Sequence, residues 1–275
     1  MNLFNRSHKQ HSAKRKKASF LPGTAVDIQA ALAQSPGKAR EHMEDAASSM
    51  IFQQGACGQE RRTGLFVIAD GMGGHLNGEL ASCLAVKVLN ERMTPLLQEE
   101  QDYPVNQIEE QLTAAFEAAQ QEILTQVSGG GTTLTAALVI NKKLYFAHVG
   151  DSRLYWLDCQ GKPEVLTRDH SLVQRLVDLG QISKADAEVH PQKNVLYRAL
   201  GQTDGFKVDL GYREMEAPGY LLICSDGLWS MVEEKKLVSE VCADRPLSER
   251  AHTMVEMANQ AGGPDNISVI LVEIS

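Results

Sequence analysis

The chain alternates between short, densely apolar runs and longer blocks with helical spacing. Apolar runs of strand length recur at 47–52, 65–69, 133–140, 144–149, 153–158, 220–225 and 267–274. Their length and their Gly, Asn and Asp borders suit strands better than helices. Helical periodicity comes in three separate blocks. Residues 105–127 set Ile108, Leu112, Phe116, Ala119, Ile123 and Val127 on one face, and 78–93 set Leu80, Leu84 and Val88 together. Residues 247–260 do the same with Ala251, Met254, Val255 and Ala258. Asn141-Lys142-Lys143 joins two strand runs as a hairpin would, and Gly150-Asp151-Ser152 joins the next as tightly. Links this short predict consecutive antiparallel neighbours. GQERRTG at 58–64 reads as a hairpin turn and SGGG at 128–131 as a tight connection. Helices grouped in blocks among antiparallel strands predict an α+β fold, not a parallel βαβ one. Residues 168–198 are polar and mixed, with a helix expected at 171–179; they read as a flap inserted at the edge of the core.

Composition narrows the class. A chain of 275 residues, 43% hydrophobic, buries enough apolar surface to fold without a disulfide or metal staple. No apolar run approaches the roughly 18 residues of a membrane span. Cysteines at 57, 83, 159, 224 and 242 are odd in number and never spaced C-x-x-C. That predicts reduced, small buried thiols in a cytoplasmic protein. Charge is uneven. Residues 1–20 hold six of the 27 basic side chains (Arg6, Lys9, Lys14, Arg15, Lys16, Lys17) and no acid; 21 basic then face 35 acidic ones over the rest, a net of −14. With no apolar stretch, residues 1–22 read as a flexible basic arm, not a secretory signal. The arm either touches an acidic surface, membrane or nucleic acid, or simply aids solubility. Residues 23–275 read as one domain, expected to be a monomer. Its acidity argues against nucleic acid as a partner.

Four apolar runs end on, or begin beside, an aspartate flanked by glycine or proline. FVIA runs into Asp70-Gly71, HVG into Asp151, LLICS into Asp226-Gly227, and Gly263-Pro264-Asp265-Asn266 precedes the last run. One aspartate at a strand end is ordinarily a turn residue. If all four strand ends converge, their charges need a counter-ion. Carboxylates with backbone carbonyls are the ligands of Mg²⁺ or Mn²⁺, and no Cys/His cluster points to zinc. Gly71 would let a carbonyl turn to such an ion, and Gly73 and Gly74 would keep the loop free of side chains. A mobile turn or a phosphate loop are the other readings of GMGG, which lacks the spacing of both common nucleotide loops. Upstream, Arg40-Glu41-His42-Met43-Glu44-Asp45 offers two more acids and an arginine whose fork suits phosphate.

In chain order the motifs are R-x-x-x-E-D (40–45), DGMGGH (70–75), GTT (131–133), GDSR (150–153), SDGLW (225–229) and GPDN (263–266). Over about 24–274 the chain resembles the metal-dependent serine/threonine protein phosphatases of type 2C, bacterial in wording. The resemblance implies a four-layer α-β-β-α sandwich, two antiparallel sheets packed face to face and flanked by helices. It implies two core ions, Mn²⁺ or Mg²⁺. Asp70 would bridge them, the Gly71 carbonyl would bind one, and Asp226 and Asp265 the other. Glu44 and Asp45 would act through water, Asp151 with Asp226 would hold a weaker third ion, and Arg40 would bind the substrate phosphate. A hydroxide between the two ions would attack phosphorus in line, with no covalent intermediate. Substrates would be phosphoproteins made by a serine/threonine kinase. Met72 stands where animal members carry a histidine proposed as leaving-group acid, and that role does not transfer to His75. Two other readings stay open at this stage: a catalytically silent binding module on the same fold, and a hydrolase of small phosphoesters.

Overall fold

The computed structural model describes residues 26–56, 59–73, 76–99, 103–158 and 163–275; the basic arm, Gly74 and His75 lie outside them. The described strands, in chain order, are β1 (Ile28–Ser35), β2 (Asp45–Ala56), β3 (Gln59–Met72), β4 (Gly131–Thr132), β5 (Leu134–Ile140), β6 (Lys143–Val149), β7 (Arg153–Leu157), β8 (Glu164–Val165), β9 (Asp209–Glu214), β10 (Gly219–Cys224) and β11 (Ile267–Ile274). The helices are α1 (Leu76–Gln98), α2 (Val105–Gln126), α3 (Leu172–Asp178), α4 (Lys184–Glu188), α5 (Asp226–Trp229), α6 (Glu234–Val241) and α7 (Leu247–Gln260).

Two antiparallel sheets result, one ordered β1-β11-β10-β7-β8 and the other β2-β3-β5-β6-β9, with β4 paired to β3. Every residue of β5 is buried, which requires that both faces of its sheet be covered. The strand period of two then sorts neighbours into different cores. Leu65, Val67 and Ala69 of β3 pack with α1 and α2, while Phe66 and Ile68 pack between the sheets. In β11, Ile267, Val269 and Leu271 pack with α6 and α7, while Ile270, Val272 and Ile274 face the other sheet. Stacking these three cores yields the expected four-layer sandwich.

Several local expectations change. The β2–β3 hairpin pairs Ala56 with Gln59, so residues 59–64 are strand and not turn. The face of α1 is rotated: Ala81, Ala85, Leu89 and Met93 are fully buried, whereas Leu80 is exposed. Small side chains let α1 lie close on the sheet, and Leu84 and Val88 pack at its flank. The β5–β6 hairpin holds, with Asn141 at φ 54° in its two-residue turn. The next link does not form a hairpin. Gly150-Asp151-Ser152 carries the chain from β6 in one sheet to β7 in the other, turning at Gly150 with φ 116°. β1, β8 and β9, and helices α4 to α6, were not anticipated.

Candidate active site

The sheet rim where these crossings occur collects the strand-end acids. Asp45 opens β2 directly opposite Asp70 near the end of β3. Asp226 follows β10 and Asp265 precedes β11, and these two strands are neighbours. Asp151 lies in the crossing link. One cavity of about 260 Å³ is lined by Arg40, Glu44, Asp70, Gly71, Asp151, Asp226 and Asp265, seven of the eight anticipated residues. Asp45 is the exception. It lies buried behind the cavity wall, where Ser268 Oγ donates to its Oδ2 at 2.7 Å. Met72, Gly73, Thr133, Asn194 and Leu196 complete the lining, the last two from the polar segment 168–198. A larger depression of about 380 Å³ on the outer face of α2 contains none of the motif residues.

Removal from water dominates the electrostatics, and like charge adds to it. Burial pushes Asp45 up to about 7, helped by Asp226 and Asp265. Asp226 is raised to about 6 by burial and by Asp265, although a hydrogen bond from Asp70 opposes the shift. Asp70 and Asp151 are held well above the ordinary carboxylate range, again by burial first. Arg40 is the cation present, its Nη2 donating to Asp265 Oδ2 at 2.8 Å, with Glu44 4.0 Å away.

Polar residues of the quoted motifs, to which the sequence reading gave no role, hold this rim together. Thr133 Oγ1 accepts the Asp70 N–H at 2.9 Å and meets Ser152 Oγ at 2.9 Å. Thr132 Oγ1 donates to the Asp70 carbonyl. Asn266 accepts from Glu44 N at 2.6 Å and donates to the carbonyls of Pro36 and His42, stitching the first loop to the last. Trp229 Nε1 donates to the Asp151 carbonyl at 3.0 Å, while the Arg153 guanidinium lies 3.6 Å over the Trp229 ring and forks onto Asp169. Gly71 is required by close approach, because a Cβ there would collide with the Gly78 and Glu44 carbonyl oxygens. Gly73, at φ 114°, uses the freedom anticipated for the loop.

The donor set fits hard divalent cations: oxygen only, rich in carboxylate, and short of positive charge. The buried Asp45 Oδ1 has no hydrogen-bond partner, which also marks an unsatisfied acceptor behind the rim. Among the described residues no three Asp, Glu, His or Cys side chains are already drawn together as a ligand set; the acids ring the cavity, with Arg40 on Asp265.

Fold and site together define a two-sheet sandwich with a carboxylate-lined cavity at one rim. The family of protein phosphatase 2C matches residues 41–268, and the chain belongs to it. It is similar to the serine/threonine phosphatase Stp of Listeria innocua serovar 6a, 38% identical over 246 residues, covering 86% of this chain and 92% of that protein. Among solved structures it is similar to the S. agalactiae serine/threonine phosphatase, with a TM-score of 0.77 and 31% identity over 90% of this chain and 99% of that one. It is likewise similar to the catalytic domain of the phosphatase PstP in complex with two manganese ions, with a TM-score of 0.74, 31% identity, and 90% and 99% coverage.

Proposed function

We propose that the protein hydrolyses phosphoserine and phosphothreonine in proteins with two divalent cations, Mn²⁺ or Mg²⁺, and a third held more weakly. The convergence of Asp70, Asp151, Asp226 and Asp265 on one cavity beside Arg40 carries this reading. Asp70, Asp226, Asp265 and the Gly71 carbonyl would hold the core pair, and Asp151 with Asp226 the third. Glu44 and Asp45 would act through water, which suits Asp45 in its place behind the wall. Bound cations supply a water of lowered pKa and neutralise charge on the phosphoryl oxygens.

The chain's own groups do the rest. A cation on Asp265 would leave Arg40 free to turn its fork to the phosphoryl oxygens and hold phosphorus in line for attack. The hydroxyl in the lining belongs to Thr133, already engaged by Asp70 N–H and Ser152, so it is no nucleophile. Direct attack by water, without a phosphoenzyme, is the route we propose, and the engaged Thr133 hydroxyl supports it. Met72 carries no proton for the leaving oxygen. Asn194 and Leu196 would meet the peptide around the phosphoresidue. Substrates would be proteins phosphorylated by a serine/threonine kinase, and the enzyme a cytoplasmic monomer. The thiols of Cys83 and Cys224, neither in a disulfide, support a reducing compartment. No helix among the described residues is long and apolar enough to cross a membrane.

The test is hydrolysis of a phosphothreonine peptide by the purified protein with Mn²⁺, with Mg²⁺ and with excess EDTA. Turnover that EDTA abolishes is the expected result. No turnover by the folded protein with either metal would overturn the proposal.

A further inference from the structure

Two buried histidines outside the phosphatase chemistry grip Gly150, the residue before Asp151, by its two polar groups. The rings of His148 and His170 lie 4.9 Å apart, and both side chains are 1% exposed or less by residue. Their hydrogen bonds fix their tautomers. The Gly150 carbonyl can only accept, so His148 Nε2 carries the proton it donates there at 3.0 Å, and Nδ1 accepts from Thr135 Oγ1 at 2.8 Å. The Gly150 N–H can only donate, so His170 Nδ1 is the acceptor, at 3.0 Å. His170 Nε2–H then donates to Asp209 Oδ2 on β9 at 3.0 Å. Asp209 is held in turn by Arg198 Nη1 on its other oxygen at 2.8 Å. The His170 backbone N–H also reaches the Gly150 carbonyl, at 2.7 Å.

Gly150 is therefore held by both of its polar groups, in a left-handed turn where a Cβ would strike Thr133. One bond further on, Asp151 points its carboxylate into the cavity, and Trp229 holds its carbonyl. A side chain that would otherwise be free to swing is aimed by what holds the peptide before it.

His170 also stands at the root of the polar segment. The Tyr197 N–H donates to the His170 carbonyl at 2.9 Å, and Ser171 bridges to Leu196. Leu196 and Asn194 line the same cavity as Asp151. One residue thus touches both the link that carries Asp151 and the segment that would meet the substrate.

We propose that His170 is a positioning residue: its Nδ1 fixes Gly150 and so aims Asp151, while Asp209 fixes the ring, making the segment 168–198 and Asp151 one mechanical unit. This rests on the reading of Asp151 as a cation ligand. Cation binding at Asp151 then favours the docked segment, and a peptide seated on Asn194 and Leu196 tightens the cation by the same factor.

The two amide variants separate the two halves of the ring. The carboxamide of His170→Asn reaches the Nδ1 position and can accept from Gly150 N–H. That of His170→Gln reaches the Nε2 position and meets Asp209 instead. Manganese binding to the full chain is measured by calorimetry, with thermal melting as the check on folding, and kcat and KM on a phosphothreonine peptide. His170→Gln is expected to weaken the weakest manganese site about tenfold or more, and His170→Asn by less than about threefold. In His170→Gln, kcat should fall and KM for the peptide should rise at low manganese, and both should recover at high manganese. Equal weakening in both variants, or unchanged manganese binding in a folded His170→Gln, overturns the proposal. Absence of manganese binding by the unmutated protein overturns the ligand reading itself, a separate outcome. Should both variants fail to fold, ¹⁵N NMR of the unmutated protein decides. An Nε2–H tautomer at His170, with a Gly150 amide that shifts on adding Mg²⁺, supports the inference. An Nδ1–H tautomer or an unmoved Gly150 amide overturns it.

Discussion

Asp70 and Asp226 lie close enough for one carboxyl to hydrogen-bond the other, an arrangement that two ionised groups cannot keep without a cation between or beside them. Charge in this cavity is therefore a cost until metal arrives, and single residues can be separated by which side of that balance they serve. Asp226→Asn removes a ligand but also a repulsion. Activity with manganese should fall by more than about a hundredfold, beyond the usual cost of losing a mere supporting partner. Melting temperature in EDTA should hold or rise. Near-normal turnover would remove Asp226 from the site. Arg40→Ala should act on substrate binding, raising KM for a phosphopeptide roughly tenfold with a smaller change in kcat. A fall in kcat at constant KM would contradict a phosphate-binding role. The aspartates were legible in the sequence because a carboxylate beside glycine at the end of an apolar run breaks the local pattern. Ser268 was not, and Asn266 and Thr133 stood in the GPDN and GTT motifs without a role. Each satisfies groups on strands or loops distant in the chain, Asn266 reaching across 222 residues to Glu44, and nothing local says what such a residue holds.

Elements were legible where burial was simple. β5 and β11 read as densely apolar runs, broken only by Thr135 in one and by Ser268 and Glu273 in the other, because both faces of their sheets are covered. β9 alternates half-buried with exposed positions at a sheet edge and contains Gly211, so its composition resembles a loop. β1 is rich in alanine and glutamine, which are weak strand signals. In the first half of α1 the buried side is lined by Ala81, Ser82 and Ala85, so Leu80 and Leu84 stand away from it and mislead a reading by size. Small residues matter most where β2, β3 and α1 meet, at Gly71 and Gly78. Gly71→Ala should cost about 1–3 kcal/mol, the usual range for overpacking, because the atoms it meets are backbone and cannot step aside. Chemical denaturation would show this as a lower midpoint at unchanged slope, accompanied by weaker manganese binding. An unaltered midpoint would mean the rim is more pliant than its contacts imply.

For the molecule as a whole, the acids tie stability to both pH and metal. Asp45 titrates at about 7 and Asp226 at about 6 in the folded state, against roughly 3.9 in an unfolded chain. Groups raised on folding stabilise when protonated, and that contribution is lost as pH rises through the folded values. In EDTA the melting temperature should therefore drop between about pH 4 and pH 7, from the unfolded to the folded values, and manganese should recover most of the loss at the upper end. A flat profile in EDTA would mean the acids are better solvated than the cavity suggests. The order of strands has a further consequence, in time. β11, the last strand, lies between β1 and β10, and Asp265 and Asn266 enter with it. A chain still emerging from the ribosome can thus fold the β2-β3-β5-β6-β9 sheet early, while the cavity stays open on one side. Until the segment from Asp265 through β11 has joined the other sheet, the nascent protein lacks one wall of the cavity and is unable to strip phosphate from anything around it.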